Sequence, residues 1–207
     1  MAERAKPDYA KGAWASSFTP RAAGEVRFWL VKSEPETFAW TDLLAAPKQT
    51  TCWDGVRNAA ARNFLVDGMA TGDQLFFYHS MTDAQSIVGI VEVVRAGYVD
   101  HTAFEKGHHG FDADSIASAP TWYMVDVKAV RPLKRPVTLA ELKGSKALAQ
   151  MALLRIGRLS VTPVTAREWA TIIAMSEKAP ASSVVAAPAK SVKSAKSAKS
   201  PKRRGVR

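Results

Sequence analysis

Phe28-Trp29-Leu30-Val31-Lys32-Ser33-Glu34-Pro35 is an apolar run that reads as a strand, ends in a Lys-Ser pair and is stopped by a Glu-Pro turn. About one helix length later comes Trp53-Asp54-Gly55-Val56-Arg57-Asn58, a second tryptophan followed by a Gly turn and an Arg-Asn pair. The combination suits recognition of a flat, partly polar heterocycle such as a nucleobase. Tryptophan offers a rigid π-face, worth roughly 1–3 kcal/mol per stacked base. Ser, Asn and backbone groups can read a base's hydrogen-bonding edge. Taken singly, each of these residues reads more simply as core or strand end; their joint occurrence reverses that preference.

Outward from this stretch, the chain predicts alternating short elements. Thr41–Ala46 reads as a helical turn stopped by Pro47. Asn58–Gly68 has high helix propensity, an Asn able to cap its start and a Gly able to end it. Gln74–His79 and Ser86–Arg95 are rich in Phe, Tyr, Ile and Val and are joined by a polar turn, which predicts two antiparallel strands. Trp122–Val130 alternates like a half-buried strand. Thr138 with Glu141 and Thr165 with Glu168 are capping boxes that open two later helices, and Gly157–Val161 between them is strand-like. The sum is an α+β chain: a curved antiparallel sheet close to a small barrel, with short helices inserted between strands.

The 207 residues are enough for one cored domain with tails, and 47% hydrophobic and 9% aromatic content fits a globular protein. Three regions emerge. Residues 1–25 lack periodicity and read as a flexible arm; residues 26–178 hold the folded domain; residues 179–207 repeat a Lys-Ser unit and should stay disordered. The formal charge of +10 is concentrated in that last region. Lys190, Lys193, Lys196, Lys199, Lys202, Arg203, Arg204 and Arg207 are accompanied by no acid, leaving 21 basic against 19 acidic residues elsewhere. The tail therefore reads as a nonspecific phosphate-binding segment. Cys52 is the sole cysteine, so no intrachain disulfide forms and a reducing compartment is expected. Met1–Arg27 has no apolar signal region and no run is long enough to span a bilayer, which predicts a soluble intracellular protein without a membrane partner.

Further pieces extend the pattern: Ala61-Arg62-Asn63, Gly72-Asp73, Phe77-Tyr78-His79-Ser80, Val88–Val93, Trp122–Val127, Leu153–Val161 and Glu168-Trp169. In this order, from about residue 27 to 175, the set resembles the EVE-domain family. The resemblance implies a PUA-like β-pseudobarrel related to YTH and ASCH domains, and a module that reads modified bases, modified cytosines in DNA first and RNA second. It makes Trp53 a cage wall, sets Ser33 and Asn58 at the base edge, and assigns Lys32, Arg57 and Arg62 to flanking phosphates or to pocket order. Tyr78, His79 and Ser80 would present a strand tip to the same cavity. Glu34, Asn63 and Ser160 complete the candidate set, and Trp122 either closes the cage or packs under the barrel. Asn58 can cap its helix as well as touch a base; Arg62, at i+4, shares its face. Of Phe28 and Trp29, one faces the cavity side and the other the core, while Trp40 and Trp169 read as packing.

The chain departs from the family where Tyr98-Val99-Asp100 replaces Tyr-Pro-Asp, which loses a rigid turn. Adjacent His108 and His109 invite a metal, but neighbouring side chains diverge on a strand and no third ligand is legible, so neither metal nor cofactor is expected. The expectation is a non-enzymatic, monomeric nucleic-acid binder, in the cytoplasm and on the nucleoid of a bacterium or in the nucleus of a eukaryote. Two rivals stand beside it. Lys32, Glu34 and Thr37 lie close in sequence and resemble the set with which ASCH relatives hydrolyse acylated cytidines. An architectural protein acting only through its tail is the other.

Overall fold

The structure, a computed structural model, describes residues 6–10 and 12–178. Strand β1 (Phe28–Ser33) buries Trp29, Leu30 and Val31 in succession because the sheet carries a core on each face. Side chains alternate along a strand. Trp29 and Val31 accordingly join Trp40, Leu43, Trp53, Phe64 and Phe77 on one face, while Leu30 joins Phe76, Tyr78, Ile87, Leu142, Trp169 and Ile172 on the other. Phe28 stacks on Trp169 at 4.6 Å. Trp29 is sealed in the first core with its indole N–H donating to Asp73 at 2.8 Å, so neither residue faces the cleft described below.

Five more strands follow: β2 (Thr50–Trp53), β3 (Gln74–His79), β4 (Ser86–Val99), β5 (Tyr123–Thr138) and β6 (Val161–Val164). They form one sheet in the order β2-β5-β4-β3-β1-β6. The expected antiparallel sheet is corrected at one pair, because β1 and β3 run parallel, with Phe28 opposite Gln74 and Ser33 opposite His79. A parallel pair needs a long crossover. Here it holds helices α1 (Trp40–Ala45) and α2 (Ala59–Asn63), and also β2, which reaches across to pair with β5.

Asn58 caps α2, its Oδ1 accepting from the N–H groups of Ala60 and Ala61 at 2.9 and 3.1 Å, and the helix widens into a π turn, Phe64–Gly68. Both capping boxes are present, opening α3 (Leu139–Gly144) and α5 (Ala166–Glu177). The strand expected at Gly157–Val161 instead lies at Val161–Val164. Residues 157–160 turn, preceded by a short α4 (Ala152–Arg155), and pairing begins where the Lys32 N–H donates to the Ser160 carbonyl at 2.9 Å.

The reading of residues 1–25 as a flexible arm is corrected over its described residues. Tyr9 stacks on Phe18 at 3.7 Å, Phe18 on Phe64 at 5.6 Å, and Trp14 meets Phe64 edge-on at 5.9 Å. Arg21 grips buried Asp73 with both guanidinium nitrogens, at 2.7 and 2.6 Å. Three scattered aromatics have no period to betray them, yet Trp14 and Phe18 meet the ring of Phe64 and Tyr9 stacks on Phe18. The basic residues 190–207 lie outside the described residues. Among those described, no helix is long and apolar enough to cross a membrane.

Candidate functional site

β1 ends at Lys32-Ser33, and the chain turns at once. The Glu34 carbonyl accepts the N–H groups of Thr37 and Phe38 at 2.9 and 2.8 Å, and the Ser33 hydroxyl donates to the Phe38 carbonyl. This turn sets Phe38 near Phe77, with centroids 6.4 Å apart. From the end of β2, Trp53 meets the same Phe77 edge-on at 5.5 Å and 88°. Phe77, fully buried on β3, thus supports two aromatics that line one cleft of about 680 Å³. Lys32, Ser33, Glu34, Cys52, Asp54 and Ser160 also line it. Among the described residues the Trp53 indole N–H has no partner, and it is not sealed from solvent, so it is available to a ligand.

A loop built on Asp100 shapes the mouth. Asp100 is fully buried and accepts from the Gly55 N–H at 3.1 Å, the Thr102 N–H at 3.0 Å and hydroxyl at 2.6 Å, and Arg57 at 2.7 Å. Burial raises its pKa, but the bonds from Thr102 and Arg57 outweigh that and hold it below the ordinary carboxylate value. Arg57 also donates to the Gly110 carbonyl at 2.8 Å, which ties the far end of the loop down. Gly55 has φ +71°, and a Cβ on Gly110 would lie 2.6 Å from the Thr102 hydroxyl and 2.7 Å from Arg57; the two loops meet through glycine. Loss of the Pro turn before Asp100 leaves this anchor intact.

The loop carries His108 and His109 into the cleft lining. Asp54 supplies the third group that the sequence did not suggest: ligand atoms of Asp54, His108 and His109 lie within 4.8 Å of one another. His108 Nδ1, however, accepts the Gly110 N–H at 3.1 Å, which puts the ring proton on Nε2, facing Asp54 at 3.5 Å. To bind a cation, Nε2 would have to pass that proton to Nδ1, against the Gly110 donor. The arrangement is a His108–Asp54 contact beside a His108–Gly110 hydrogen bond, not a prepared metal centre.

Of the residues singled out in the sequence, Lys32, Ser33, Glu34, Trp53 and Ser160 come together in the cleft. Lys32 donates from Nζ to the Gly157 carbonyl at 2.8 Å, and burial lowers its pKa. Tyr78 and Ser80 instead line an adjoining groove of about 420 Å³. Tyr78 donates to Gln85 at 2.9 Å with its pKa pushed up to about 12 by burial, and Ser80 donates to the Ser33 carbonyl. His79 accepts the Trp40 backbone N–H at 3.0 Å, and burial lowers its pKa. Asn58 is taken up by capping. Trp122 lines neither of these two clefts: its ring carries the guanidinium groups of Arg57 and Arg62, at 5.4 and 5.8 Å, with its indole N–H on Asp112. Arg62 also donates to Asn63 at 2.9 Å. Cleft residues that sequence reasoning missed are Phe38, Asp54 and the two histidines. Only Phe38 left a local signal, an aromatic just past the Ser-Glu-Pro stop.

Residues 27–175 match the family model described as the EVE domain. The chain is 45% identical to thymocyte nuclear protein 1 of Homo sapiens over 169 residues, 73% of this chain and 75% of that protein. Its fold is similar to the crystal structure of the human THYN1 protein in complex with 5-methylcytosine containing DNA, with a TM-score of 0.72 and 43% identity over 74% of this chain and 99% of that one. A Pseudomonas syringae protein is similarly close, with a TM-score of 0.68 and 42% identity over 72% and 99% of the two chains. The mixed six-stranded sheet with inserted short helices is the PUA-like α+β fold. The chain belongs to the EVE-domain family.

Proposed function

We propose that this protein binds nucleic acid and reads a modified base, a modified cytosine in DNA first, by seating the ring in the cleft between Trp53 and Phe38. The observation that carries the reading is the charge of an aromatic-walled cleft. It holds one cation, Lys32, against two carboxylates, Glu34 and Asp54. Such a lining repels phosphate and favours a neutral ring with an exocyclic amine, since a carboxylate accepts from cytosine N4. The base would have to leave its stack to enter. The complex of human THYN1 with 5-methylcytosine containing DNA supports the same class of ligand. Arg57, Arg62 and Trp122 then act by holding the mouth, and the basic residues from Lys190 to Arg207 add salt-dependent phosphate binding in the nucleoid or nucleus.

Titration of the full chain, followed by tryptophan fluorescence, tests this with oligonucleotides carrying cytosine, 5-methylcytosine, 5-hydroxymethylcytosine or N6-methyladenine, as DNA and as RNA. A several-fold preference that survives high salt and is lost in Trp53→Ala is expected, with salt-sensitive binding retained. Trp53→Phe, which keeps a ring on Phe77, separates loss of the wall from loss of the fold. Flat, salt-sensitive binding by the unmodified protein would refute base reading.

A hydrolase of acylated cytidine has one observation in its favour: Lys32, Glu34 and Thr37 share the cleft. Yet the Lys32 ammonium is occupied by the Gly157 carbonyl, and among the described residues it forms no ion pair with Glu34. Turnover of N4-acetylcytidine that disappears in Lys32→Ala would establish that reading instead.

A further inference from the structure

The groove beside the cleft has the opposite charge. Lys32, Glu34 and Ser160 line both spaces and form the ridge between them. Beyond the ridge the groove adds two exposed cations, Lys143 at the end of α3 and Arg158 in the turn before β6. Among the described residues no carboxylate lies within ion-pair distance of Lys32, Lys143 or Arg158. The lining therefore carries three cations against the single carboxylate Glu34, whereas the cleft carries one against two. Its floor is apolar, from Leu139, Leu153 and Leu154.

One wall is Met81, at the tip of the β3–β4 turn. It is 73% exposed and holds φ +52°, a left-handed conformation that an unbranched apolar side chain rarely adopts. A non-glycine residue in this region costs free energy, and the strain here holds the Met81 side chain at the groove. Three cations without carboxylate partners around an apolar floor fit an anion joined to a flat apolar face. A nucleotide is such a ligand.

We infer that this groove seats the nucleotide next to the base read in the cleft, with Lys143 and Arg158 on its phosphate and Met81 against its base. The inference rests on the base-reading proposal, because continuity across the ridge is what makes the occupant the adjoining residue of the same strand. Glu34, on the ridge, keeps phosphate out of the cleft and on the groove side.

The test compares two probes on the full chain: free 5-methyl-2′-deoxycytidine, and a short single-stranded oligonucleotide carrying one 5-methylcytosine. Lys143→Gln/Arg158→Gln should weaken oligonucleotide binding by roughly 5–20-fold near 0.1 M salt and reduce the salt slope by about 0.7, the value for one phosphate of a single strand. Nucleoside binding should stay within about twofold, since no phosphate is involved. Met81→Ser should weaken the oligonucleotide without changing the slope. Lys128→Gln/Arg131→Gln removes the same charge from exposed positions of β5 and controls for charge alone. Unchanged oligonucleotide binding in the groove variants, or an equal loss in the β5 control, would overturn the groove and leave base reading standing. Absence of any modified-base preference in the unmodified protein would overturn both.

Discussion

Arg57→Ala separates two roles that the same residue could fill. A phosphate-holding arginine would cost binding and little stability; the geometry here predicts the reverse. Its guanidinium makes a 2.7 Å bond to buried Asp100, donates to the Gly110 carbonyl and lies over Trp122. A hydrogen bond to a charged partner contributes about 1.5–3 kcal/mol, and one to a neutral carbonyl about 0.5–1.5 kcal/mol. The cation–π interaction adds about 0.5–1 kcal/mol. Asp100 keeps three donors from Thr102 and Gly55, so its charge is not orphaned, and the loss should fall at about 2–4 kcal/mol, below the upper range for breaking a buried pair. Arg57→Lys keeps the charge without the fork and should lose about half of that. Urea unfolding with an unchanged m-value measures both. The pH dependence supplies a second reading. A carboxyl held below its ordinary value contributes stability in full above the unfolded pKa and loses it as pH falls through the folded one. In Arg57→Ala burial still raises Asp100 while a main lowering influence is gone, so acid unfolding should begin at higher pH. Unaltered stability and acid midpoint, combined with weakened oligonucleotide binding, would refute the positioning role and return Arg57 to the phosphate.

Gly110→Ala should cost about 1–3 kcal/mol by overpacking against Thr102 and Arg57 and should loosen the 100–112 loop, read as faster amide exchange there. Removing residues 1–20 strips Phe64 of two aromatic neighbours, Trp14 and Phe18, and Phe18 of its stack with Tyr9; a drop in Tm of several degrees is expected by calorimetry, and an unchanged Tm would restore the flexible-arm reading. Cys52 lines the cleft with its pKa raised by burial and by Asp54 and Asp126, so alkylation should be slow at pH 8 and slower still with a saturating modified oligonucleotide. Equal alkylation rates with and without the oligonucleotide would place the ligand elsewhere.

What is legible in the sequence is what is decided locally. Thr138 with Glu141 and Thr165 with Glu168 declare their helices because a capping box satisfies backbone donors within one turn. Asn58 does the same for α2. Strand direction is not legible: nothing within Phe28–Ser33 says that its neighbour is parallel, since that depends on a crossover of some forty residues. The site divides the same way. Trp53 and the Lys-Ser strand end stand out because type and spacing carry them. Arg57, Arg62 and Trp122 are recognisable as a basic and aromatic set, but their assignment to one another depends on Asp100 and Asp112, and no short-range pattern links those positions. Asp54 becomes a partner of His108 only because the loops meet at Gly55 and Gly110.

The two charge environments bear on how specificity and affinity can be tuned. A base held by stacking and by donors to Glu34 or Asp54 contributes little net charge neutralisation, so its preference should be nearly independent of salt. Binding through phosphates weakens with every increment of salt, by about 0.7–0.9 log units per phosphate for each decade of concentration. A fivefold base preference corresponds to about 1 kcal/mol, small beside the electrostatic contribution of several phosphates at low ionic strength. Where the tail binds a strand without the cleft being filled, that parallel mode dominates at low salt, so the protein will look indiscriminate in dilute buffer and selective in concentrated buffer, although neither binding surface has changed. Shortening the basic tail should move that crossover to lower salt without altering the preference itself, because the tail and the cleft act on different atoms of the ligand.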